Sequence, residues 1–362
     1  GNTITSIGDI ENSATHASVA TGKIICQGSV KQFIGGNGTG KFGNLTIDNI
    51  AGVSNTANQT VNNILNLNNG SLFIDAYVLR LAEAASVTGA FSGARMIQTN
   101  GLLSDSGVVK HFAAGTANFL FPIGSDVDYM PVNYNITANS VAGSIRVYPV
   151  KTQHPATTDA LDLELDYFWV VRGTGFSGLA LTHTYNYQDI FVNGNEAAYV
   201  TGRYVLPQWN PTGGIPGTVD PTLNTMTLTG VNFIDGDYTC GEPSEFQPID
   251  TLYSRNATLG GDWDGLTTWS VAGHAGPVSG ITPTFQIVKI ATGHTVSVAA
   301  DGRTCSVLTN NGTLDLNDHI FNVFGYGDGT GLLRMRATGA FSFVFPSGNF
   351  NPFTSSTGGT VE

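Results

Sequence analysis

The chain has 362 residues, which is enough for two or three domains with cores of their own. Charged residues make up only 12% and hydrophobic residues 41%, which excludes a disordered chain, because disorder needs high charge and few large apolar side chains. The net charge is -12 and no run of Lys or Arg occurs, so neither nucleic acid nor an anionic membrane surface is expected as a partner. No apolar run approaches the roughly 18 residues of a membrane helix, so no membrane insertion is expected.

The chain begins with GNTITSIGDIENS, which is not a signal peptide. We therefore expect either that a leader has been removed or that the chain is an internal segment of a longer protein.

One stretch occurs twice in the chain. Residues 65–124 begin with LNLNNGSLFIDAYVLRLA, and residues 308–348 begin with LTNNGTLDLNDHIFNVFG. The Asn-Gly pair at 69–70 corresponds to the pair at 311–312, an offset of 242 residues. A module that restarts after about 240 residues, in a chain that then stops inside it, is typical of a repeat array.

The N-terminal part reads as successive short strands with period-two alternation, bounded by Gly, Asn and Asp. Within residues 20–82, inward aliphatic residues recur and Asn-Gly supplies corners of positive φ. Each short strand would be one rung of a β-solenoid or of a solenoid-like sandwich, and the sequence does not separate these two folds.

Residues 136–243 have a different pattern, with strands of five to nine residues at wider spacing. This pattern is typical of an antiparallel β-sandwich of about seven strands. The fold class predicted is all-β, with β-solenoid-like modules alternating with an antiparallel β-sandwich along the chain. The predicted domains are a solenoid-like module over 1–135, a sandwich over 136–243, a linker over 244–252 and the start of a second solenoid-like module over 253–362.

Cys26, Cys240 and Cys305 are odd in number and widely spaced, so they form neither a disulfide framework nor a C-x-x-C metal motif. We expect them to be small buried residues, and whether any of them is paired stays open.

Several phrases in order resemble a known family: GNLTIDN, LDYFWVV, DGDYTCGE and GDWDGLTTWS, within residues 42–348. In this order they resemble repetitive adhesin-like surface proteins of Bacteroidetes that the type IX secretion system exports. Residues 261–298 also resemble the start of a G8-type module. The resemblance implies an extracellular, modular and extended protein, and it implies no catalytic residue. The C-terminal secretion-signal domain of that system is not recognised in this chain.

Trp263 and Trp269 lie six residues apart, with Asp262 and Asp264 beside the first of them. Exposed aromatic rings with polar neighbours would form a carbohydrate-binding platform. The favoured interpretation is that both rings fill the end of the second solenoid, because tryptophans belong to cores more often than to ligand platforms.

Paired aspartates in loops supply the hard oxygen ligands of Ca²⁺, so Asp126 with Asp128 forms the first candidate for a metal site. A complete calcium loop is absent and Asp is common in turns for conformational reasons, so a turn is the favoured interpretation. The other such pairs are Asp235 with Asp237 and Asp262 with Asp264. Ca²⁺ is the only cofactor considered.

Carboxylates near the predicted linker would suit glycoside hydrolysis, but no supporting residues converge with them in the sequence. The residues concerned are Glu242, Glu245, Asp262 and Asp264. The sequence also lacks a G-x-S-x-G elbow, nucleotide-binding fingerprints and metal-binding His spacings, so no enzyme is predicted. Asp250-Thr251-Leu252 matches a tripeptide that Bacteroidetes O-glycosylate, which makes Thr251 a candidate glycosylation site.

The predicted function is a non-catalytic structural or adhesive segment of a large secreted repetitive protein, found outside the cell or on its surface. Its expected partners are copies of itself in a filament or bundle and a target cell or surface. The absence of caps at either end of the chain fits a repeating fibre. The alternatives are a carbohydrate-binding or polysaccharide-processing surface protein and a surface-layer subunit.

Overall fold

The computed structural model describes residues 1–17, 21–157, 162–206, 208–209, 217–246, 250–255, 261–336 and 345–362. Strands account for 51% of the residues and helices for 3%, so the prediction of an all-β fold is confirmed. The chain contains a β-solenoid of about 15 turns. Two compact units are formed, one by Gly1–Arg203 with Asn210–Phe246 and the other by Tyr204–Trp209 with Gln247–Glu362.

The strands up to residue 241 are short, and many of them have only two to five residues. In chain order they are β1 (Thr3–Ser6), β2 (Ile10–Glu11), β3 (Thr15–His16), β4 (Lys23–Cys26), β5 (Gln32–Gly35), β6 (Lys41–Asp48), β7 (Val53–Asn55), β8 (Gln59–Asn69), β9 (Leu72–Asp75), β10 (Leu79–Leu81), β11 (Ser86–Gly89), β12 (Ile97–Thr99), β13 (Val108–Phe112), β14 (Ala117–Phe121), β15 (Ile123–Ser125), β16 (Asp128–Tyr129), β17 (Val132–Ala138), β18 (Gly143–Val150), β19 (Phe168–Thr174), β20 (Ala180–Asn186), β21 (Val200–Val205), β22 (Gln208–Trp209), β23 (Thr218–Asp220), β24 (Thr225–Val231) and β25 (Gly236–Gly241). Single 3₁₀ turns lie at Asp189–Phe191, Glu196–Ala198 and Pro243–Glu245.

Two parallel ladders make the solenoid of the first unit. One runs β1-β4-β6-β8-β10-β13 and the other β2-β5-β7-β9-β12-β15, and every pairing along them is parallel. In the first ladder Ile24 pairs with Leu45, 21 residues on, so each rung takes about that many residues. Leu45 then pairs with Leu65, and both side chains are buried, so like residues stack in the core. Parallel pairing of this kind decides between the solenoid and the sandwich for the N-terminal part of the chain.

The corners of the rungs require glycine. Gly70 has φ +103°, and a Cβ atom there would lie 1.9 Å from the carbonyl oxygen of Asn49 in the preceding rung. Only a residue without a side chain allows both the positive φ and this close approach of backbones. The Asn-Gly corner predicted from the sequence therefore stacks directly on the rung before it.

The solenoid ladders continue into antiparallel strands. β13 pairs in parallel with β10 and antiparallel with β18, and β18, β19 and β25 follow antiparallel. A separate antiparallel sheet has the order β14-β17-β20-β24-β23. Its buried residues, such as Tyr134 and Leu228, belong to the same hydrophobic core as the solenoid residues Leu45 and Leu65. Strands β18 to β25 lie within the range 136–243 predicted for antiparallel strands, whereas β14 and the start of β17 lie before it. An alternation of sandwich and solenoid modules stays a prediction.

The second unit repeats the parallel arrangement. Its strands are β26 (Thr251–Ser254), β27 (Gly261–Asp262), β28 (Trp269–Ser270), β29 (Ile287–Ile290), β30 (Thr295–Ser297), β31 (Arg303–Cys305), β32 (Val307–Asn310), β33 (Thr313–Asp315), β34 (Phe321–Asp328), β35 (Leu332–Arg334), β36 (Ser347–Asn349) and β37 (Thr360–Val361). The ladders β26-β29-β32-β34 and β27-β30-β33-β35-β37 are parallel throughout. Ile287 pairs with Val307, 20 residues on, which is close to the step found in the first unit.

The predicted domain boundaries stay predictions. Residue 135 lies within β17 and residue 252 within β26. Residues 247–249 of the predicted linker lie outside the described residues. The three cysteines are buried and free, as expected of small core residues.

Candidate functional site

The two aspartates of the calcium hypothesis face a lysine of their own chain. The Nζ atom of Lys151 lies 2.8 Å from Oδ2 of Asp126 and 2.7 Å from Oδ2 of Asp128. Hydrogen bonds to Asp126 and then Asp128 raise the pKa of Lys151 above its ordinary value, so the ammonium group stays charged. This ammonium group takes the place between the carboxylates that a metal ion would need. Calcium binding by this pair remains a hypothesis that requires Lys151 to move away.

In the two other aspartate pairs, one member also meets a cation. Asp237 lies 2.7 Å from Nη1 of Arg172 and 3.3 Å from Nε2 of His154. Burial alone would raise the pKa of Asp237, but the hydrogen bond from His154 and the charge of Arg172 outweigh it, and the pKa is lowered. Asp264 pairs with Arg303 at 2.7 Å. Within the described residues, no group of three or more His, Cys, Asp or Glu side chains is placed to hold a metal ion.

The side chains of Trp263 and Trp269 lie in the interior of the second unit. Their ring centroids are 5.3 Å apart in a T-shaped arrangement, and Phe321 packs 4.8 Å from Trp263. The indole nitrogen of Trp263 donates to the carbonyl oxygen of Pro283, and that of Trp269 donates to the carbonyl oxygen of Trp263. Both residues have no exposed surface, so neither ring faces solvent in this conformation.

Thr251, the candidate glycosylation site, is the first residue of β26. It pairs in parallel with Ile287, and its side chain is half-buried next to the exposed Asp250. Glycosylation at this position remains a prediction, and the site lies at the start of a strand.

The carboxylates near the predicted linker form a contact that the sequence did not indicate. Glu164 and Glu245 are both buried, and their side chains hydrogen bond to each other. Burial raises the pKa of Glu164 to about 7, with a further contribution from Glu245. Glu242 instead accepts a hydrogen bond from the backbone N–H of Asn195 at 2.8 Å. Because the side chains of Glu164 and Glu245 are both buried, the two carboxyl groups form an internal acid pair.

A shallow groove lies on the solvent face of the sheet formed by β5, β7, β9, β12 and β15. We call it the Phe73 groove and define it by Phe73 and Gln98, which are neighbours in register, and by Ile50, Asp126 and Val127 around them. Ile50 is 80% and Val127 77% exposed, so apolar surface is presented to solvent here.

The Phe73 ring is held from two sides. A Cβ atom on Gly52 would lie 2.2 Å from the ring, so only glycine allows the ring to pack against this corner. Nζ of Lys31 lies 3.9 Å from the ring centroid, a cation–π distance. The Phe73 ring therefore lies between the Gly52 corner and the Lys31 ammonium group, which a ligand stacked on that face of the ring would have to displace.

Comparison with known proteins finds no matching family model, no matching curated protein and no matching solved structure. None of the helices in the described part of the chain combines the length and the apolar character that a bilayer crossing requires.

Proposed function

We propose that this chain is a non-catalytic structural or adhesive segment of a large, secreted, repetitive protein that forms an extracellular fibre or surface appendage. The observation that carries the proposal is the parallel stacking of rungs in both units. Ile287 and Val307 pair at a separation of 20 residues and Thr251 and Ile287 at 36, so the rungs stack in parallel although their lengths vary. In such a stack each rung contacts mainly its neighbours, so stability adds along the array and the array can lengthen without a new core.

The distribution of aromatic residues supports a mechanical role. All four tryptophans of the chain are buried, and tyrosines such as Tyr134 and Tyr185 are fully buried as well. A protein that binds polysaccharide along its face would expose a row of such rings, whereas a stiff rod uses them for packing.

In line with the resemblance to adhesin-like proteins of Bacteroidetes, the proposed location is the cell surface, after export by the type IX secretion system. Its proposed partners are copies of itself and a target surface. Lateral or end contacts between copies would cover strand edges, which are otherwise prone to unwanted pairing.

Electron microscopy of the native material on the cell surface tests the proposal. Antibodies raised against this chain should decorate long, uniform fibres with a repeat of module size. A strain from which the gene is deleted is the control and should lose the labelled fibres. If the antibodies label only dispersed particles, the fibre proposal is wrong.

The Phe73 groove supports a second candidate, a carbohydrate-binding surface protein. Aromatic rings stack on the apolar faces of sugars, and the amide of Gln98 and the carboxylate of Asp126 are groups that bind hydroxyls. Affinity electrophoresis through gels containing single polysaccharides should show retardation that Phe73→Ala abolishes and that Leu266→Ala, at an exposed site in the second unit, leaves unchanged. Equal mobility of all three proteins in every gel would remove this candidate.

A further inference from the structure

Three polar side chains of the second unit meet around one buried hydroxyl group. Oγ of Ser254, at the end of β26, lies 2.7 Å from Nδ1 of His294 and 3.5 Å from Nδ1 of His274. The carbonyl oxygen of Ser254 is 2.8 Å from the same Nδ1 of His274. Two imidazole nitrogens and two oxygens from three separate segments therefore lie within one small volume.

The hydrogen bonds constrain the protons at this site. A carbonyl oxygen only accepts, so Nδ1 of His274 carries a proton and donates it to Ser254. Oγ of Ser254 accepts from the backbone N–H of Ala291 at 3.1 Å, and as a hydroxyl it still has its own proton and a second lone pair. Its contact with Nδ1 of His294 therefore accommodates either tautomer of that ring.

Neutral imidazole binds metal ions through its unprotonated nitrogen. A tetrahedral ion with ligands at about 2.1 Å holds those ligands about 3.4 Å apart. The contact of 3.5 Å between Oγ of Ser254 and Nδ1 of His274 matches this distance, and the hydrogen-bonded contacts of 2.7 and 2.8 Å would lengthen by about 0.6 Å around an ion. The two rings are half-buried and their centroids are 5.6 Å apart, so they are close together and partly accessible.

We propose that Ser254, His274 and His294 form a binding site for a divalent transition-metal ion of the zinc class, with the two Nδ1 atoms as principal ligands. The ion takes the place of the protons that now link the three residues. In the metal-bound form both rings carry their proton on Nε2, the hydroxyl proton of Ser254 points away from the ion, and the Ser254 oxygens complete the shell.

The ligand chemistry selects the class of ion, because the proposed ligands are two imidazole nitrogens and the two uncharged oxygens of Ser254. Hard ions such as Ca²⁺ need several carboxylate or carbonyl oxygens, whereas Zn²⁺ binds well to imidazole nitrogen. We therefore expect affinity for Zn²⁺ in the micromolar range and no measurable binding of Ca²⁺ at this site.

Such an ion would join three segments of the second unit: the end of β26, the loop after β28 and the turn between β29 and β30. It would therefore stabilise the beginning of the second solenoid. This inference does not depend on the proposed function, because a structural ion suits a fibre module and a carbohydrate-binding module equally well.

Titration calorimetry of the full chain, freed of metal with a chelator, tests the site with ZnCl₂ and then CaCl₂. One Zn²⁺ per chain is expected, with at least tenfold weaker binding in His274→Gln and in His294→Gln. His319→Gln is the matched control, because His319 lies in the same unit but contacts Asp301 and Asp318. Imidazole nitrogen spectra give a second readout, since the Nδ1 signals of His274 and His294 should shift and that of His319 should not.

Thermal unfolding without metal checks that each variant is folded. Repeated with metal, it measures how far Zn²⁺ stabilises each protein. Saturating Zn²⁺ should raise the midpoint of the wild type and of His319→Gln and leave both ligand variants unchanged. Wild-type binding no tighter than that of the double His274→Gln/His294→Gln variant would overturn the proposal. So would a loss of binding in His319→Gln alone.

Discussion

The ammonium group of Lys110 lies 2.8 Å from the carbonyl oxygen of Ala82 and also donates to the carbonyl oxygens of Glu83 and His111. Lys110 follows Val61 and Leu81 in register, so a lysine continues a column of buried aliphatic residues. Its ammonium group satisfies carbonyl oxygens at the last parallel rung, where the ladder turns antiparallel.

Replacement of this lysine by Met tests the arrangement. Burial lowers the pKa of Lys110 to about 8, below the value of 10.5 for a free lysine, so the unfolded chain binds more protons between these values. The free energy of unfolding of the wild type should therefore rise by about 1–2 kcal/mol relative to Lys110→Met between pH 8 and pH 9.5. Urea unfolding of both proteins measures this difference. If the unfolding free energies of the wild type and Lys110→Met change equally with pH, Lys110 is not desolvated in the fold.

Glu164 should make the first unit less stable as pH rises towards neutrality. Its pKa is raised to about 7 in the fold from 4.5, so its favourable contribution is complete below pH 4.5 and is lost as pH passes 7. The stability of the wild type relative to Glu164→Gln should fall by roughly 2–3 kcal/mol over this interval. Glu242→Gln, a neighbour without such burial, serves as the control and should follow the wild type. If the difference in unfolding free energy between Glu164→Gln and the wild type does not vary with pH, the raised pKa of Glu164 is contradicted.

The corner glycines should tolerate no side chain. Gly70→Ala would place Cβ 1.9 Å from the carbonyl oxygen of Asn49, and Gly312→Ala would place it 2.4 Å from the carbonyl oxygens of Ala291 and His294. We expect each to cost at least about 2 kcal/mol of unfolding free energy. Gly8→Ala, which meets nothing within 4 Å, should change stability by less than about 0.5 kcal/mol. Chemical denaturation measures the unfolding free energy of the three variants. An equal loss in all three would show that the stacking of corners does not cause the destabilisation.

Substitution of Trp263 shows whether its ring belongs to the core or to a carbohydrate-binding platform. Trp263→Ala should destabilise the second unit by about 3–5 kcal/mol, and Trp263→Phe by less, because the ring packs against Trp269 and Phe321. Thermal unfolding and affinity electrophoresis of the same preparations separate the two roles. A variant with unchanged stability that has lost affinity for a polysaccharide would favour the platform.

Much of the fold could be predicted from local sequence chemistry. Period-two alternation identifies strands, and Asn-Gly at 69–70 and 311–312 identifies corners, because each signal acts within a few residues. The step of about 20 residues between rungs was harder to find, since corners vary in length and composition and stacking depends on contacts between distant residues.

The candidate sites were less predictable for the same reason. Nothing in the local sequence places Lys151 between Asp126 and Asp128, or Glu245 against Glu164, because register alone brings these groups together. Nor does a fixed spacing indicate the contact of His274 with His294, because His274 lies in the loop after β28 and the rung paired before β29 is β26, 36 residues earlier.

The parallel ladders also determine how the chain can reach its fold. Each rung forms its hydrogen bonds with the rung about 20 residues earlier, as Leu45 does with Ile24, so a finished rung is the template for the next. Folding can then start at any rung and spread to its neighbours, and a segment that emerges progressively from a narrow channel can be ordered as it appears. The most vulnerable point is the newest rung, whose free edge attracts any extended strand until its successor arrives.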